Sequence, residues 1–510
     1  MNPPLTSSFW PTRTARASVQ PLDPVVDPAE VFEAGLEQHH LANTAYPIAH
    51  KKTIWRHRQP ADRHRSLLHG ALCEPMGLYI HIPFCERRCA FCEYCVVKQH
   101  SPDREARYHE ALLGEMQLYL DLLGRRQPRS PLVGLDIGGG TPSLVEPGRI
   151  AQLIEKVVAG FRLEPTFGIS IETTPKIAAL HPERLAAYRS MGIERISMGL
   201  QMINPRLLRE YGRDLNRVGH NRAAADNIRQ AGFRRFNIDL MYGFARQSVD
   251  DVRRCVEYTV ALQPEYVTLY RMRYKGTRIH TEAAQVALDQ VTEMYEAATQ
   301  MLLAAGYAAQ PGKNAFSRVV GDPGTSEYLT SRVMWGMPYL GLGLGAQTFT
   351  GGLLSYNLGA ADKRLDRYVE VVGHGRLPVQ DLYQLPPAEG MAKMIAVSFY
   401  FGQIHLEAFR RRFGVALEQR FAAEVELLLG RNLMEHHDPS GRTRQRHPRA
   451  PGERQGHANA LCPGNRAAGP VLRMTKLGAL QFNGVVALFY SDAVKRHLIE
   501  LSQRRGAQDV

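Results

Sequence analysis

The sequence predicts an α/β protein organised on a parallel sheet, and three observations carry that expectation. Between Leu78 and Tyr270, short apolar runs alternate with longer stretches whose apolar residues recur at helical spacing, the pattern of strands joined by crossover helices. Glycines and carboxylates fall at or just beyond the ends of those runs, at Gly138–Gly140, Glu172 and Asp239, where such sheets place their ligands. The chain has 510 residues, 44% hydrophobic and 22% charged, enough to bury a large core in two or three domains.

Residues 1–75 form a polar N-terminal extension rich in Pro and His. Within it Asp27–His39 reads as a short helix begun by Pro28, whose missing N–H costs nothing in a first turn. His50, Lys51, Lys52, Arg56, His57 and Arg58 follow, a solvated loop or a basic patch for an anionic substrate. Residues 76–275 hold the alternation. Leu78–Ile82, Leu132–Ile137, Gly168–Thr173, Arg195–Leu200, Arg235–Leu240 and Tyr266–Tyr270 predict six strands. Glu105–Leu123, Pro147–Phe161, His181–Met191, Asn216–Ala231 and Ser248–Leu262 predict the helices between them. Residues 276–385 begin with one long helix, Gln285 to Gly306, stopped by its glycine. They continue as a loop-rich segment, Tyr307–Asn357, with a glycine cluster at Gly341–Gly345. Residues 386–510 read as a mostly helical C-terminal domain. It is helical in pattern from Pro386 to Phe421, interrupted over about 436–470 by a disordered insertion rich in Arg, Gly and Pro, and closed by a helix opened at Met474-Thr475.

The net charge of +13, from 63 Lys+Arg against 50 Asp+Glu, suits nucleic acid, a membrane surface or an anionic small molecule. No nucleic-acid motif or aromatic–basic repeat is present. No stretch reaches about 18 uninterrupted apolar residues, and MNPPLTSSFWPTRTAR lacks the apolar segment of a secretory signal. The expectation is a cytoplasmic protein that meets a small-molecule substrate, with no nucleic acid and no membrane. Seven cysteines, four of them between Cys85 and Cys95, suit a reducing compartment better than a disulfide framework.

Those cysteines are the strongest chemical signal. Cys85, Cys89 and Cys92 stand at C-x3-C-x2-C spacing directly after the first strand. Three thiolates on one short loop can hold three corners of a cubane [4Fe–4S] cluster and leave the fourth iron open to an outside ligand. Structural zinc needs a second ligand pair, and Cys255 and Cys462 are isolated. Cys95 is read three ways: a spare thiol, a neighbour of the cluster, or a catalytic group.

Tyr79-Ile80-His81-Ile82-Pro83-Phe84-Cys85, with Cys89-Ala90-Phe91-Cys92, resembles the signature of radical S-adenosylmethionine (radical SAM) enzymes. More narrowly, it is similar to the oxygen-independent coproporphyrinogen III oxidase family. The relatives of that family include a heme chaperone, heme-degrading methyltransferases, and class C methyltransferases and cyclopropanases. The likeness runs with gaps from about Tyr79 to about Phe489. It implies a partial (β/α)6 radical SAM barrel with an N-terminal extension and a winged-helix-like C-terminal domain. It implies S-adenosylmethionine on the open iron, one molecule or two, cleaved to a 5′-deoxyadenosyl radical by an electron from an external donor such as flavodoxin or ferredoxin. It assigns Gly138, Gly139, Gly140 and Thr141 to the amino group of SAM, Glu172 to its ribose, and Gln201, Arg213 and Asp239 to further contacts. It puts Tyr79 and Phe91, which flank the cysteines, near the SAM, with Tyr79 a candidate catalytic residue.

The stretch Glu327–Trp335 departs from the family pattern. It lacks the Phe-Gln pair of the coproporphyrinogen dehydrogenases and the His-Asn-x-x-Tyr-Trp element of the heme chaperone. Read as an altered substrate loop, this predicts a class C methyltransferase or cyclopropanase acting on a secondary metabolite or tetrapyrrole. The alternatives are coproporphyrinogen III oxidation and heme-binding chaperone work.

Overall fold

The computed structural model describes residues 26–41, 44–72, 74–97, 101–124, 131–438 and 469–506. Six parallel strands form the centre: β1 (Met76–Ile82), β2 (Pro131–Gly139), β3 (Arg162–Thr173), β4 (Arg195–Gln201), β5 (Arg235–Tyr242) and β6 (Tyr266–Arg271). All six predicted strands are present, each extended by a few residues at one or both ends or kept within one. Their helices, Pro102–Leu123, Pro147–Gly160, Pro182–Ser190, Val218–Gln230 and Val249–Ala261, bury their apolar faces on the sheet. This is an α/β barrel fold.

The loop-rich reading of residues 307–357 needs correction. Ala315–Ser317 is β7, antiparallel to β6. Tyr339–Leu342 is β8, parallel to β1, and Gln347–Thr350, Leu353–Asn357 and Val379–Gln384 follow as antiparallel β9, β10 and β11. The sheet therefore has eleven strands in the order β11-β10-β9-β8-β1-β2-β3-β4-β5-β6-β7. The β9–β10 hairpin turns on Gly351-Gly352, both at positive φ, a two-residue turn that favours glycine. These strands are short, and Gly341, Gly343 and Gly345 mask the alternation that would otherwise mark them.

Glu327–Trp335 is a helix capped by the Ser326 side chain, which accepts from Leu329 N at 3.1 Å. It lies against β1, β2 and β3, and three glycines make room for it. A Cβ on Gly77 would lie 2.5 Å from the Tyr328 ring, on Gly134 2.5 Å from Tyr328 N, and on Gly168 2.4 Å from Glu327 Oε2. Glu327 is tied further by Arg235 at 2.6 Å. The stretch read as a substrate loop is thus a helix docked on the barrel strands.

The C-terminal part combines helices Pro387–Ser398, Leu406–Phe413, Ala422–Gly430, Phe482–Ala487 and Asp492–Gly506 with a small antiparallel sheet. That sheet is Gln403–His405 (β12), Met434–His437 (β13) and Val471–Met474 (β14), in the order β12-β14-β13. The insertion expected at 436–470 lies outside the described residues over 439–468, and His436–His437 belong to β13. The N-terminal helix Pro28–Glu37 is capped by Asp27. It buries Val31, Phe32 and Ala34 in the C-terminal core, and a Cβ on Gly35 would come 2.6 Å from Ala487 Cβ. His50, expected on a solvated loop, is bonded to Tyr356 Oη at 2.9 Å. Among the described residues no helix is long and apolar enough to cross a membrane.

Candidate functional site

The ends of β1 and β2 build the cysteine loop. β1 delivers the chain through Pro83 to a buried Phe84, and Val97 N closes the loop onto Pro83 O at 2.8 Å. Gly140 N and Thr141 N, just past β2, donate to Ile82 O and Phe84 O at 2.7 and 2.8 Å. This close approach explains the glycine run. A Cβ on Gly138 would lie 2.6 Å from Glu172 Oε1, on Gly139 2.5 Å from the His81 ring, and on Gly140 2.6 Å from Phe84 O. Gly139 also sits at φ 116°, where side chains are disfavoured.

Cys85, Cys89 and Cys92 are half-buried free thiols that line one cavity of about 340 Å³. Cys85 Sγ is 3.3 Å from Thr141 Oγ1, and Arg213 Nη1 donates to Cys89 Sγ at 3.5 Å. Burial pushes the Cys85 thiol up to about 12 and raises that of Cys92; a bound metal ion reverses this by drawing off the proton. Among the described residues no three His, Cys, Asp or Glu converge as ligands of a single ion. A cubane binds each thiolate on a different iron, so its ligands stand farther apart than those of one ion, and three thiols on one loop fit it.

The strand ends bring the other expected residues to the same cavity. Glu172 ends β3 and accepts from Gly139 N at 3.1 Å. Its carboxylate is open to the cavity yet enclosed by protein, and burial followed by the nearby Asp239 charge raises it to about 7. Asp239 accepts from Ser197 Oγ at 2.8 Å and Asn237 Nδ2 at 2.7 Å, while burial pushes it upward. Gln201 ends β4 at φ 69°. A Cβ on Gly199 would meet Gln201 Nε2 at 2.8 Å and Arg213 Nη2 at 3.2 Å, so both side chains stack over that glycine. Arg213 also donates to Gly199 O. Gln201 Oε1 and Arg213 Nε are buried without a hydrogen-bond partner among the described residues. Phe91 packs edge-on against Tyr211 and Phe244 at the rim.

Two expected residues lie elsewhere. Tyr79 stacks on Tyr328 and bonds His81 Nδ1 at 3.2 Å, outside the lining of the cavity. Cys95 turns away: its thiol donates to Gly359 O at 3.1 Å and is packed in the main core, where burial raises it to about 12. No residue of Glu327–Trp335 lines the cavity, so the departure of that stretch from the family pattern says nothing about the cavity wall. Several lining residues were not singled out from the sequence. Tyr94 lies inside the cysteine motif, and Tyr270 and Arg271 end β6, where the strand-end rule would have found them. Tyr400 and Lys313 carry no local signal and reach the cavity through the C-terminal part and β7.

Residues 79–259 match the radical SAM superfamily. Heme chaperone HemW of Mycobacterium tuberculosis is 29% identical over 379 residues, 71% of this chain and 90% of that protein. Heme chaperone HemW of Haemophilus influenzae is 29% identical over 239 residues, and the chain spans 61% of its length. Oxygen-independent coproporphyrinogen III oxidase of Pseudomonas aeruginosa is 28% identical over 240 residues, and the chain spans 51% of it. The structure of coproporphyrinogen III oxidase from Escherichia coli shares the fold, with a TM-score of 0.66 at 19% identity, over 88% of this chain and 96% of that one. Residues 79–259 are thus similar to the radical SAM superfamily, and the proteins that the chain resembles include coproporphyrinogen oxidases and heme chaperones.

Proposed function

We propose that this radical SAM chain, of the coproporphyrinogen III oxidase-like family, oxidises a tetrapyrrole in the manner of the oxygen-independent coproporphyrinogen III oxidases. The observation that carries the reading is the single cavity that joins three thiols to Glu172, Gln201, Arg213 and Asp239. Cys85, Cys89 and Cys92 would hold a [4Fe–4S] cluster. When bound, that cluster and SAM supply a one-electron cleavage of the sulfonium that yields a carbon radical able to take a hydrogen atom from substrate. Gly138–Thr141 presents backbone groups that only glycines allow so close. Glu172 accepts ribose hydroxyls, Arg213 offsets thiolate charge at Cys89, and Phe91 and Tyr211 keep water from that rim. The electron comes from an external donor such as a flavodoxin or ferredoxin.

Methyl transfer is set behind this reading. It rested on Glu327–Trp335, and the relatives described above are oxidases and chaperones. A heme-chaperone role is the second reading, favoured by the match along 90% of the Mycobacterium tuberculosis chaperone. The test is anaerobic incubation of reconstituted protein with SAM, dithionite and coproporphyrinogen III. 5′-Deoxyadenosine with decarboxylated porphyrinogen is expected. S-Adenosylhomocysteine with an intact porphyrinogen overturns the reading for methyl transfer, and tight heme retention without SAM cleavage overturns it for the chaperone.

A further inference from the structure

Three lysines among the described residues are buried: Lys313, Lys393 and Lys495. Two have oxygen partners. Lys393 donates to Tyr46 O at 3.0 Å and Gln347 Oε1 at 3.2 Å, and Lys495 to Glu424 at 2.5 Å. Lys313 is 9% exposed and lines the cavity. Its ammonium lies 4.9 Å from the Phe401 ring centroid and meets no hydrogen-bonding oxygen or ion-pair partner among the described residues. The acid whose charge reaches it is Asp322, which is already engaged by Tyr266 Oη at 2.8 Å and Gly324 N at 2.7 Å. An ammonium that faces a largely enclosed cavity with no protein partner is placed to pair with a bound anion.

The position is built. Lys313 N donates to Gln310 O at 3.1 Å and Asn314 N to Tyr400 O at 3.1 Å. A Cβ on Gly402 would meet Pro311 O at 2.1 Å, so the turn carrying Lys313 is pressed onto the chain at Phe401-Gly402. It leads directly into β7, the edge strand at one end of the sheet, while the cysteine loop leaves β1 with five strands between.

We infer that Lys313, with Asn314 beside it, forms an anion subsite across the cavity from the cysteine loop and takes a carboxylate of the substrate. The inference rests on the cavity being the substrate site of a radical SAM enzyme; it does not need the substrate to be a tetrapyrrole. Burial, partly offset by the Asp322 charge, lowers Lys313 to about 8, which leaves the ammonium largely protonated at neutral pH and ready to pair.

The experiment uses the reconstituted holoprotein and reads Lys313 itself. Acetylation of its amine by acetic anhydride is followed by peptide mass spectrometry, alone and with succinate, coproporphyrin III or coproporphyrin III tetramethyl ester. Slower labelling with either free carboxylate, and not with the ester, is expected. Coproporphyrin III binding, read by fluorescence, should weaken roughly tenfold or more in Lys313→Met and recover in Lys313→Arg. Protection by succinate with no porphyrin binding keeps the subsite and overturns the tetrapyrrole reading. Labelling that neither carboxylate slows, or that the ester slows equally, overturns the subsite whatever the porphyrins do.

Discussion

Replacing Gly134 with alanine tests whether the helix Glu327–Trp335 is seated on the barrel strands as described. The new Cβ would lie 2.5 Å from Tyr328 N and 3.0 Å from both the Glu327 carbonyl carbon and Cβ. Ordinary contact begins near 3.4 Å, so the backbone must give by about 1 Å. A backbone atom cannot swing aside, and overpacking of this kind costs about 1–3 kcal/mol. Gly77→Ala meets the Tyr328 ring at 2.5 Å and should cost a similar amount, since that side chain is buried. Gly168→Ala meets Glu327 Oε2, the far end of a flexible side chain that can shift even though Arg235 holds its other oxygen, and should cost less than about 1 kcal/mol. Gly70 has nothing within 4 Å and lies in a helix, so Gly70→Ala should gain up to about 1 kcal/mol. Urea unfolding of the four variants, read by far-UV circular dichroism, gives the ranking. Tyr328→Ala combined with Gly77→Ala should cost less than the two single costs added. A folded Gly134→Ala protein within about 0.5 kcal/mol of wild type would refute the seating of that helix.

Cys89→Ala should lose most of its iron and sulfide after reconstitution, whereas Cys95→Ala should keep both, because its thiol points at Gly359 O; metal analysis with EPR separates them. Arg213→Met should reduce 5′-deoxyadenosine formation by roughly tenfold or more, since it removes a charge-assisted bond to Cys89 Sγ. Arg213→Lys should recover little of it, because a lysine lacks the fork that spans Gly199 O and the sulfur. Burial lowers His81 to about 4. Between pH 6.5 and about 4 the unfolded chain therefore binds the extra proton, stability falls as pH drops through that window, and the full loss is on the order of 3 kcal/mol. His81→Gln should flatten that part of a urea midpoint-versus-pH curve; an unchanged slope would show that the buried imidazole does not set it.

The barrel strands were legible because each is an apolar run bounded by turn residues, and the cysteine loop because its spacing is rare. Glu172, Gln201 and Asp239 were legible as residues at strand ends. What escaped was set by distant packing. Gly341–Gly345 reads as a loop, yet its first two residues end β8, which pairs with the edge of β1. Glu327–Trp335 is polar at Glu327, Thr330, Ser331 and Arg332, and only Gly77, Gly134 and Gly168, lying far back in the chain, reveal that a helix fits there. Cys95 stayed open among three readings because sequence distance does not show which way a thiol points. Lys313 could be found only once the fold had set it in the cavity wall with no hydrogen-bonding oxygen beside its ammonium among the described residues.

The seating of Pro28–Glu37 on Phe482–Ala487 and Asp492–Gly506 sets an order of assembly. During synthesis Phe32 leaves the ribosome early, and the surface that shelters it is made only after the whole barrel. Until then the apolar face of that helix stays uncovered, awaiting a long-range contact of the kind that slows folding and invites aggregation. Production of this protein should therefore respond to slower synthesis or added chaperone capacity more strongly than its central barrel alone would require.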